Sequence, residues 1–395
     1  MVDRPLRFLH TSDLRLDSPL EGASQVPAAL RELFRDAPLL AARRLFDHAV
    51  AQRVDFIVLA GNVIDLSRAG PSELALLVEQ FQRLAAEGIA VYWAGGATDS
   101  PEAWPTSLPL PPSVKRYPRG RCESFTHCRA DGGAIASIIG YSTSAEGRIP
   151  LDIRPSTAGL PSIAVVPGEV DTDLSTRGID YVALGSRSGS PQGRSPGEPG
   201  LHGAALVEIE VGQPPRMTPL DCDVVRWCDL EINAGAHTGR EPLERLLAEH
   251  AQRLVDAGPG RPLLASWRIA IQGPVPATVH RSRLAADLLA WLRAEYGQRV
   301  PPIWSVSLVI DTAAPRSTDF RSDSVVSHYL GELERLAALG SPSAGAALVL
   351  PIVSGSPTGE LHRFLSIADP PAWDDVVREA ALLGTDLLTA EEDAG

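Results

Sequence analysis

The sequence predicts an α/β fold built around a parallel β-sheet. Short apolar runs typical of buried strands alternate with longer segments whose apolar residues recur at helical spacing. Near the start of the chain the order is strand, helix, strand, helix, strand, at residues 6–9, 38–53, 55–61, 71–87 and 89–95. Strands joined by single helices run parallel through right-handed crossovers, so this order favours one parallel sheet.

Each of these elements has its own signal. The strand at 55–61 is a continuous apolar run closed by glycine, as expected of a strand that is buried on both faces. Pro38 is expected in the first turn of the first helix, where a missing N–H costs no hydrogen bond. Gly88 follows the second helix and is expected to end it. The apolar residues of the second helix share one face: Leu74, Leu77, Val78, Phe81 and Leu84.

The rest of the chain continues this pattern and then changes character. Further strands are predicted at 134–140, 162–166, 180–184 and 204–211, and irregular segments rich in Pro, Gly or Ser at 100–121 and 185–200. A second alternation of strands and helices follows at 224–232, 241–257, 263–271, 281–296 and 303–310, and two more helices at 323–338 and 372–389. We predict three parts: an α/β domain over 1–222, an α+β domain over 223–312 and a helical region over 313–395.

Composition limits the classes of function. The chain has 395 residues and a net charge of −13, with 36 Lys and Arg against 49 Asp and Glu. Because nucleic-acid binding proteins rely on basic surfaces, this balance argues against tight autonomous DNA binding. No apolar run approaches the roughly 18 residues that span a membrane, and no secretion signal is expected at the N-terminus. Four cysteines in a chain of this length do not form a disulfide framework, so the cytoplasm is the expected compartment.

Polar motifs follow the first three predicted strands. They read SDL at 12–14, GNVID at 61–65 and GATDS at 96–100. Ligand sites of parallel sheets gather at the carboxyl ends of the strands. We therefore expect these three motifs to meet at one edge of the sheet.

The order of the motifs carries a resemblance to a known family. RFLHTSDLRLD at 7–17, LAGNVID at 59–65, WAGGATDS at 93–100 and DYVALGS at 180–186 resemble the motifs of calcineurin-like metallophosphoesterases. The phrase SGSPQGRSPGEPGLHGAALVEIEV at 188–211 makes the chain most similar to the SbcD/YhaO branch of DNA repair exonucleases. The resemblance implies a four-layer α/β/β/α sandwich, followed by a small α+β capping domain and a helical C-terminus.

The resemblance also implies a chemistry. Two divalent metal ions held close together clamp a phosphodiester and convert bound water to hydroxide. The family holds them with Asp, Asn and His ligands, one or two from each strand end. This mixture of oxygen and nitrogen ligands suits Mn²⁺, Fe and Zn²⁺.

This chain departs from the family's ligand pattern at most positions. In the first motif Asp13 is kept, but Arg15 stands where the family has His. In the second motif Asn62 stands where the metal-bridging Asp is expected. The remaining departures are Ala97 and Thr98 in the third motif, Pro167 in the fourth, and Ser186 and Ser188 in the fifth.

These departures leave Asp13 as the one intact metal ligand, with Asn62 as a weak neutral one, and no residue is assigned a catalytic role. We predict that Arg15 pairs with Asp13 and replaces the first metal electrostatically, because a guanidinium group does not deprotonate. Asp13 and Asp65 are expected to act as hydrogen-bond partners at strand ends. His10 is expected to form hydrogen bonds behind the site. The other acidic neighbours of the site are Asp17 and Asp99.

The first functional hypothesis is a catalytically inactive protein of this family. Because its active relatives work with an SbcC-like ATPase that has a long coiled coil, the chain is predicted to be a non-catalytic subunit or scaffold of such an assembly. A homodimer is also expected to be possible, with DNA reached weakly or through the partner. The helix at 372–389 has apolar residues near one face and is a candidate docking helix, although packing on its own domain is the alternative.

The alternative hypothesis is an active exonuclease or phosphoesterase with a rebuilt site. No cofactor is expected for an inactive protein, whereas Mn²⁺ or Mg²⁺ would be required by an active one. A third hypothesis is a DNA-binding module without catalysis, for which the arginine-bearing loop at 187–194 is the segment to test. The carboxylates available to a rebuilt site are Asp17, Asp65, Asp99, Glu169 and Asp171.

Overall fold

A computed structural model of the protein describes residues 4–21, 26–143, 153–155, 159–168, 178–185, 189–210, 212–235, 239–258, 260–271, 281–338 and 373–392. The chain divides into two compact units. Unit 1 comprises Met1–Cys228, Pro259–Ala265 and Val300–Val306, and unit 2 comprises Asp229–Gly258, Ser266–Arg299 and Ser307–Gly395. The domain boundaries expected after residues 222 and 312 remain a prediction.

The strands and helices are numbered in chain order. The strands are β1 (Leu6–Thr11), β2 (Phe56–Ala60), β3 (Ala90–Ala94), β4 (Val114–Arg116), β5 (Glu123–Cys128), β6 (Ala134–Gly140), β7 (Ser162–Val166), β8 (Tyr181–Leu184), β9 (Gly203–Ile209), β10 (Arg216–Asp221), β11 (Arg226–Ala234), β12 (Leu263–Ile271) and β13 (Ile303–Thr312). The helices are α1 (Ala28–Ala51), α2 (Pro71–Ala86), α3 (Arg240–Ala257), α4 (Arg281–Tyr296), α5 (Val325–Ala338) and α6 (Trp373–Glu392).

Unit 1 contains two sheets. The first has the strand order β10-β9-β1-β2-β3-β4, in which β1 to β4 are parallel and β9 runs antiparallel to β1. The second has the order β5-β6-β7-β8. The parallel core of the first sheet brings the carboxyl ends of β1, β2 and β3 to one edge, as the three polar motifs predicted.

The sheets of unit 1 pack face to face, and helices cover the outer face of the first. Phe8, Phe56 and Tyr92 of the first sheet share a buried cluster with Ile138 and Ile163 of the second. On the other face, a second cluster buries side chains of β1, β2 and β3 against α1 and α2. The predicted metallophosphoesterase-type α/β sandwich is confirmed, with helix, sheet and sheet layers in the described residues.

The start of α1 corrects a prediction. The helix begins at Ala28 rather than at residue 38, so Pro38 lies inside it. Proline inside a helix removes one hydrogen bond and costs about 3 kcal/mol. The residues around it offset this cost, because Phe34 and Ala37 are buried in a cluster with Trp227. Tertiary packing therefore outweighs the local proline signal.

Three short strands also correct the predicted boundaries. The segment 100–121 is not wholly irregular, because it contains β4, which pairs in parallel with β3. The strands β5 and β10 were not predicted. Both are edge strands, and neither has the apolar alternation that marks a half-buried strand. In addition, β10 carries a proline, Pro219, which is tolerated at the edge of a sheet.

The second predicted alternation of strands and helices is also found. The strands β11, β12 and β13 form a three-stranded sheet in that order, and α3 and α4 connect them. The C-terminal helices α5 and α6 pack on each other through Val326, Leu330 and Ala381. The Tyr329 ring lies against Gly384, where a side chain would collide with it. Within the described residues, no helix combines the length and the apolar character needed to cross a membrane.

Candidate functional site

The loops that follow β1 and β2 are joined by their backbones. Because β1 and β2 are parallel neighbours, their carboxyl ends emerge side by side and the two loops continue the pairing. Three hydrogen bonds connect them: Asp13 N to Gly61 O at 3.0 Å, Arg15 N to Asn62 O at 3.0 Å, and Leu16 N to Val63 O at 3.2 Å. The first two motifs are therefore held in register by main-chain hydrogen bonds.

Both loops contain residues in the left-handed backbone conformation. Asp13, Arg15 and Asn62 have φ values of 51°, 40° and 54°. Such conformations are uncommon for residues other than glycine and concentrate at ligand sites and switches. The strain is tolerated here because the hydrogen bonds between the loops over-determine the backbone.

The Asp13 carboxylate is surrounded by donors of the protein. Asn62 Nδ2 donates to Asp13 Oδ1 at 2.9 Å, and Ser12 Oγ donates to Asp13 Oδ2 at 3.0 Å. Arg15 Nε lies 3.9 Å from Asp13 Oδ1, which is ion-pair distance but not a hydrogen bond. Both carboxylate oxygens of the one retained ligand thus face an N–H or O–H group. The predicted proximity of Arg15 to Asp13 is found, at the long end of the ion-pair range.

Asp99 has a different environment from Asp13. Its side chain is fully buried and accepts four hydrogen bonds, from Asn62 N, Val63 N, Gly96 N and Trp93 Nε1, at 2.6–3.0 Å. Burial raises the pKa of Asp99, although the four hydrogen bonds favour the carboxylate and oppose the shift. Asp99 therefore ties the loop after β3 to the loop after β2, and all its acceptor capacity is used inside the protein.

Asp17 and Asp65 organise the backbone at the outer rim of the site. Asp17 Oδ1 accepts a hydrogen bond from Asp65 N at 2.7 Å. Asp65 Oδ1 in turn accepts hydrogen bonds from Ser67 Oγ and Ser67 N, and these lower the pKa of Asp65. Asp65 thus acts as a hydrogen-bond partner near a strand end, as expected of it, and Asp17 likewise accepts a backbone hydrogen bond.

The other predicted positions contribute no ligand group within the described residues. Ala97 and Thr98 are exposed, and Pro167 packs against Gly61 at the end of β2. Gly185 approaches the backbone of Ala60 so closely that a Cβ atom would collide with Ala60 O. Four of the candidate positions lie outside the described residues: Glu169, Asp171, Ser186 and Ser188.

His10 lies beneath the site, between the two sheets of unit 1. Its side chain is buried, and Nδ1 is 2.8 Å from the hydroxyl of Tyr181, whose ring meets the imidazole edge to face. Burial lowers the pKa of His10 to about 4, so the ring is neutral at physiological pH. The expectation of a hydrogen-bonding group behind the site agrees with this geometry.

Arg194 is a residue of the site that sequence reasoning missed. Its guanidinium group is buried and donates to the carbonyl oxygens of Leu14 and Ser18, in the loop that carries Asp13, Arg15 and Asp17. Burial, together with the nearby charge of Arg15, lowers the pKa of Arg194 to about 10, so it stays charged at neutral pH. Arg194 is the arginine of the phrase SPQGR, and this phrase is the sequence signal that could have identified it.

The loop that carries Arg194 is itself fixed by buried polar groups. Gln192 is fully buried, accepts a hydrogen bond from Val224 N at 2.9 Å and donates to the carbonyl oxygens of Gly193 and Val225. Trp227 Nε1 donates to Gly193 O at 3.1 Å. Because these contacts anchor both sides of the loop, Arg194 reaches the first motif from a rigid base.

The described residues do not fit a pair of metal ions. No group of three or more His, Cys, Asp or Glu side chains converges among them. At the position of the expected bridging carboxylate, the Asn62 amide turns an N–H toward Asp13, and amide nitrogen is a donor rather than a ligand. A metal at Asp13 would have to displace this contact and would lie close to the positive charge of Arg15.

The fold and the strand-end site define the class of protein. A helix-covered double sheet with its polar motifs at the carboxyl ends of β1, β2 and β3 is the arrangement of a metallophosphoesterase. No family model matches the chain. The chain is 31% identical to the uncharacterized metallophosphoesterase YhaO of Bacillus subtilis (strain 168) over 196 residues, which cover 46% of this chain and 48% of that protein. The chain thus spans about half the length of the curated relative it matches.

Motif order, fold and this similarity agree. Together they support a relationship to the calcineurin-like metallophosphoesterase superfamily, of the SbcD/YhaO type.

Proposed function

We propose that this protein is a catalytically inactive metallophosphoesterase-fold protein that serves as a subunit or scaffold of an assembly with an SbcC-like ATPase. The observation that carries the proposal is the state of Asp13. Its carboxylate accepts a hydrogen bond from the Asn62 amide and lies beside the Arg15 guanidinium. The protein itself thereby supplies a positive charge and an N–H donor to the carboxylate that would otherwise bind metal.

Electrostatics supports the loss of metal binding. Two divalent ions a few ångströms apart repel each other and need anionic ligands between them to stay bound. Asn62 is neutral, and Arg15 adds a fixed positive charge where an ion would lie. Asp99, the remaining carboxylate of the third motif, already accepts four hydrogen bonds from the protein. An all-carboxylate site for Mg²⁺ or Mn²⁺ would therefore need other acids than Asp99.

Electrostatics also argues against phosphodiester binding at this edge without metals. Asp13, Asp17 and Asp65 all lie in the loops after β1 and β2. The positive charges near these carboxylates are those of Arg15 and the buried Arg194. The Arg194 guanidinium group already donates hydrogen bonds to backbone carbonyl groups. A phosphate group would meet at least as much negative as positive charge there, so the edge does not attract a nucleic-acid backbone.

The helix α6 supports a docking role. Three of its apolar residues are exposed, and with Ala380 they form a stripe that repeats every three or four residues, as in a coiled coil: Val376, Ala380, Leu383 and Leu387. Glu379 and Asp386 flank the stripe, and α6 as a whole carries six acidic residues against one arginine. A partner helix with basic flanks would complement this surface, whereas a second copy of α6 would bring acid against acid.

The first test measures metal content and nuclease activity together. The purified protein is incubated with Mn²⁺, its metal is determined by elemental analysis, and cleavage of linear DNA is measured in the same buffer. We expect no stoichiometric metal and no cleavage. Two metals per chain with Mn²⁺-dependent cleavage would overturn the proposal and favour the alternative, an active exonuclease with a rebuilt carboxylate site.

A matched variant makes a negative result informative. The double substitution Asn62→Asp with Arg15→His restores the family's residues at two positions, and we expect it to bind more Mn²⁺ than the wild type. Asp13→Asn in the same background should remove that gain, because it removes the one retained carboxylate. If the double substitution binds no more metal than the wild type, the two residues are not the cause of the loss.

A second test addresses the partner. The protein is co-expressed with an SbcC-like ATPase of the same organism, and the complex is measured by size-exclusion chromatography. Leu383→Asp with Leu387→Asp should weaken co-elution at least about tenfold, since a charge in an apolar interface is costly. Leu201→Asp, at another exposed leucine, serves as the control and should leave co-elution unchanged. Equal behaviour of both variants would argue against docking through α6.

A further inference from the structure

Unit 2 contains a small cavity whose walls carry three arginines. It has a volume of about 200 Å³ and is lined by residues of β12, β13, the start of α4 and α6. The arginines come from three different elements: Arg268 from β12, Arg281 from α4 and Arg378 from α6. In a chain with a net charge of −13, such a concentration of guanidinium groups is unusual.

The protein uses few of the N–H groups that these arginines offer. Each guanidinium has five. Arg378 Nη1 donates to Asp311 Oδ1 at 2.6 Å, and Arg281 Nη1 donates to Ile310 O at 3.3 Å. Arg378 Nη2 also lies 3.4 Å from Glu379 Oε1. Arg268 makes no hydrogen bond to the described residues, and its Nη1 lies 4.0 Å from Asp311 Oδ2. Most of the N–H groups at the cavity therefore have no acceptor from the part of the chain that the structure describes.

The charges around the cavity leave room for an anion. Three positive groups line it, against the carboxylates of Asp311 and Glu379. Asp386 does not line the cavity; it accepts hydrogen bonds from Ser282 and lies 3.7 Å from Arg281 Nε. Arg268 is half exposed, so solvent and ligands reach it.

The size of the cavity limits the ligand. Sites for drug-sized molecules have volumes of roughly 300 Å³ or more. A cavity of about 200 Å³ holds a phosphate group but not a whole nucleotide. Guanidinium groups bind such oxyanions through paired N–H donors at a fixed spacing.

We propose that this cavity binds a small tetrahedral oxyanion, a phosphate group, between the guanidinium groups of Arg268 and Arg378, with Asp311 holding both arginines in place. The site lies in unit 2 and uses none of the residues at the strand ends of unit 1, although it shares the helix α6 with the proposed docking surface.

The test is a titration with inorganic phosphate at low ionic strength, followed through the arginine side-chain N–H signals in NMR spectra of the full chain. We expect saturable shifts of a few arginine signals, with an affinity in the millimolar range. Arg268→Ala should weaken binding at least about fivefold, because it removes one of the two clamping groups. The control is Arg335→Ala, an exposed arginine of α5 that pairs with Glu332, and it should change the affinity less than about twofold.

Two further arms identify the ligand group. Adenosine monophosphate should bind about as well as inorganic phosphate, because its terminal phosphate enters the cavity while the nucleoside stays outside. An oligonucleotide without terminal phosphates should not compete. The proposal is overturned if phosphate gives no saturable shift, if Arg268→Ala and Arg378→Gln both leave the affinity unchanged, or if the unphosphorylated oligonucleotide alone binds.

Discussion

The polar groups at the strand ends of unit 1 form two sets that differ in depth. The inner set, His10, Asp99 and Arg194, is buried and forms hydrogen bonds within the protein. The outer set, Asp13 and Arg15, is partly exposed and held by few contacts. The outer set contains the retained ligand Asp13 and the departure Arg15, whereas the inner set supports the loops. The residues that fix the backbone of the site are therefore separate from the residues that determine its chemistry.

The largest effect is expected from the inner carboxylate. Asp99→Ala removes the acceptor of four hydrogen bonds and leaves four buried N–H groups without it. Each such group costs about 1–3 kcal/mol, so we expect the free energy of unfolding to fall by more than about 3 kcal/mol. Urea denaturation measures it. Asp99→Asn keeps the shape and should be milder; equal losses for both variants would contradict the hydrogen-bond explanation.

His10 should make stability depend on pH. The unfolded chain binds a proton near the ordinary pKa of 6.5, whereas the folded chain resists protonation down to about 4. Between these values the unfolded state holds more protons, so the free energy of unfolding falls as the pH drops from about 6.5 to 4. The total loss approaches about 3 kcal/mol.

Two variants isolate this effect. His10→Gln removes the titrating group and should flatten the slope of stability against pH in this range, as measured by urea denaturation at several pH values. His328→Gln, at an exposed histidine of α5, should keep the wild-type slope. A slope that survives in His10→Gln would assign the pH dependence to other groups.

Arg194 should have a smaller effect that is confined to one loop. Arg194→Met fills a similar volume but leaves the carbonyl groups of Leu14 and Ser18 without their donor. We expect a loss of about 2 kcal/mol, together with faster amide hydrogen exchange in residues 14–18. Exchange measured by mass spectrometry checks the second effect; unchanged exchange there would show that the backbone pairing with the loop after β2 suffices.

The outer carboxylate should matter least for stability. Asp13→Asn removes a charge that is 27% exposed, keeps an oxygen that can accept the Asn62 hydrogen bond, and should cost less than about 1 kcal/mol. Thermal denaturation at low and high salt measures it. A loss as large as that of Asp99→Ala would end the distinction between the inner and outer sets.

Much of the fold could be predicted from apolar periodicity. The strands β6, β7 and β12 and the helix α4 have the predicted bounds to the residue, because each is a strongly apolar run or a clear helical repeat. The start of α1 could not be predicted. The cost of having Pro38 inside the helix is offset by packing in a cluster with Trp227, which lies nearly 190 residues later in the chain. The short edge strands β5 and β10 lack the apolar pattern on which prediction depends.

The site could be predicted in location but only partly in arrangement. The strand ends were identified, and the geometry of Asp13, Asn62 and Arg15 agrees with the loss of ligands that the motifs indicated. The role of Asp99 could not be predicted, because its four donors come from the loops after β2 and β3 and from a tryptophan within β3. Arg194 lies in the phrase SPQGR, but its role was missed because its acceptors are backbone carbonyl groups of a distant loop.

The main-chain pairing between the loops after β1 and β2 has a consequence for protein engineering. Since Asp13 N, Arg15 N and Leu16 N donate to Gly61 O, Asn62 O and Val63 O, hydrogen bonds within the chain fix the backbone shape of both loops. A designer who wishes to install a catalytic centre here would start from loops that are already set, and would have to exchange only the side chains that project from them.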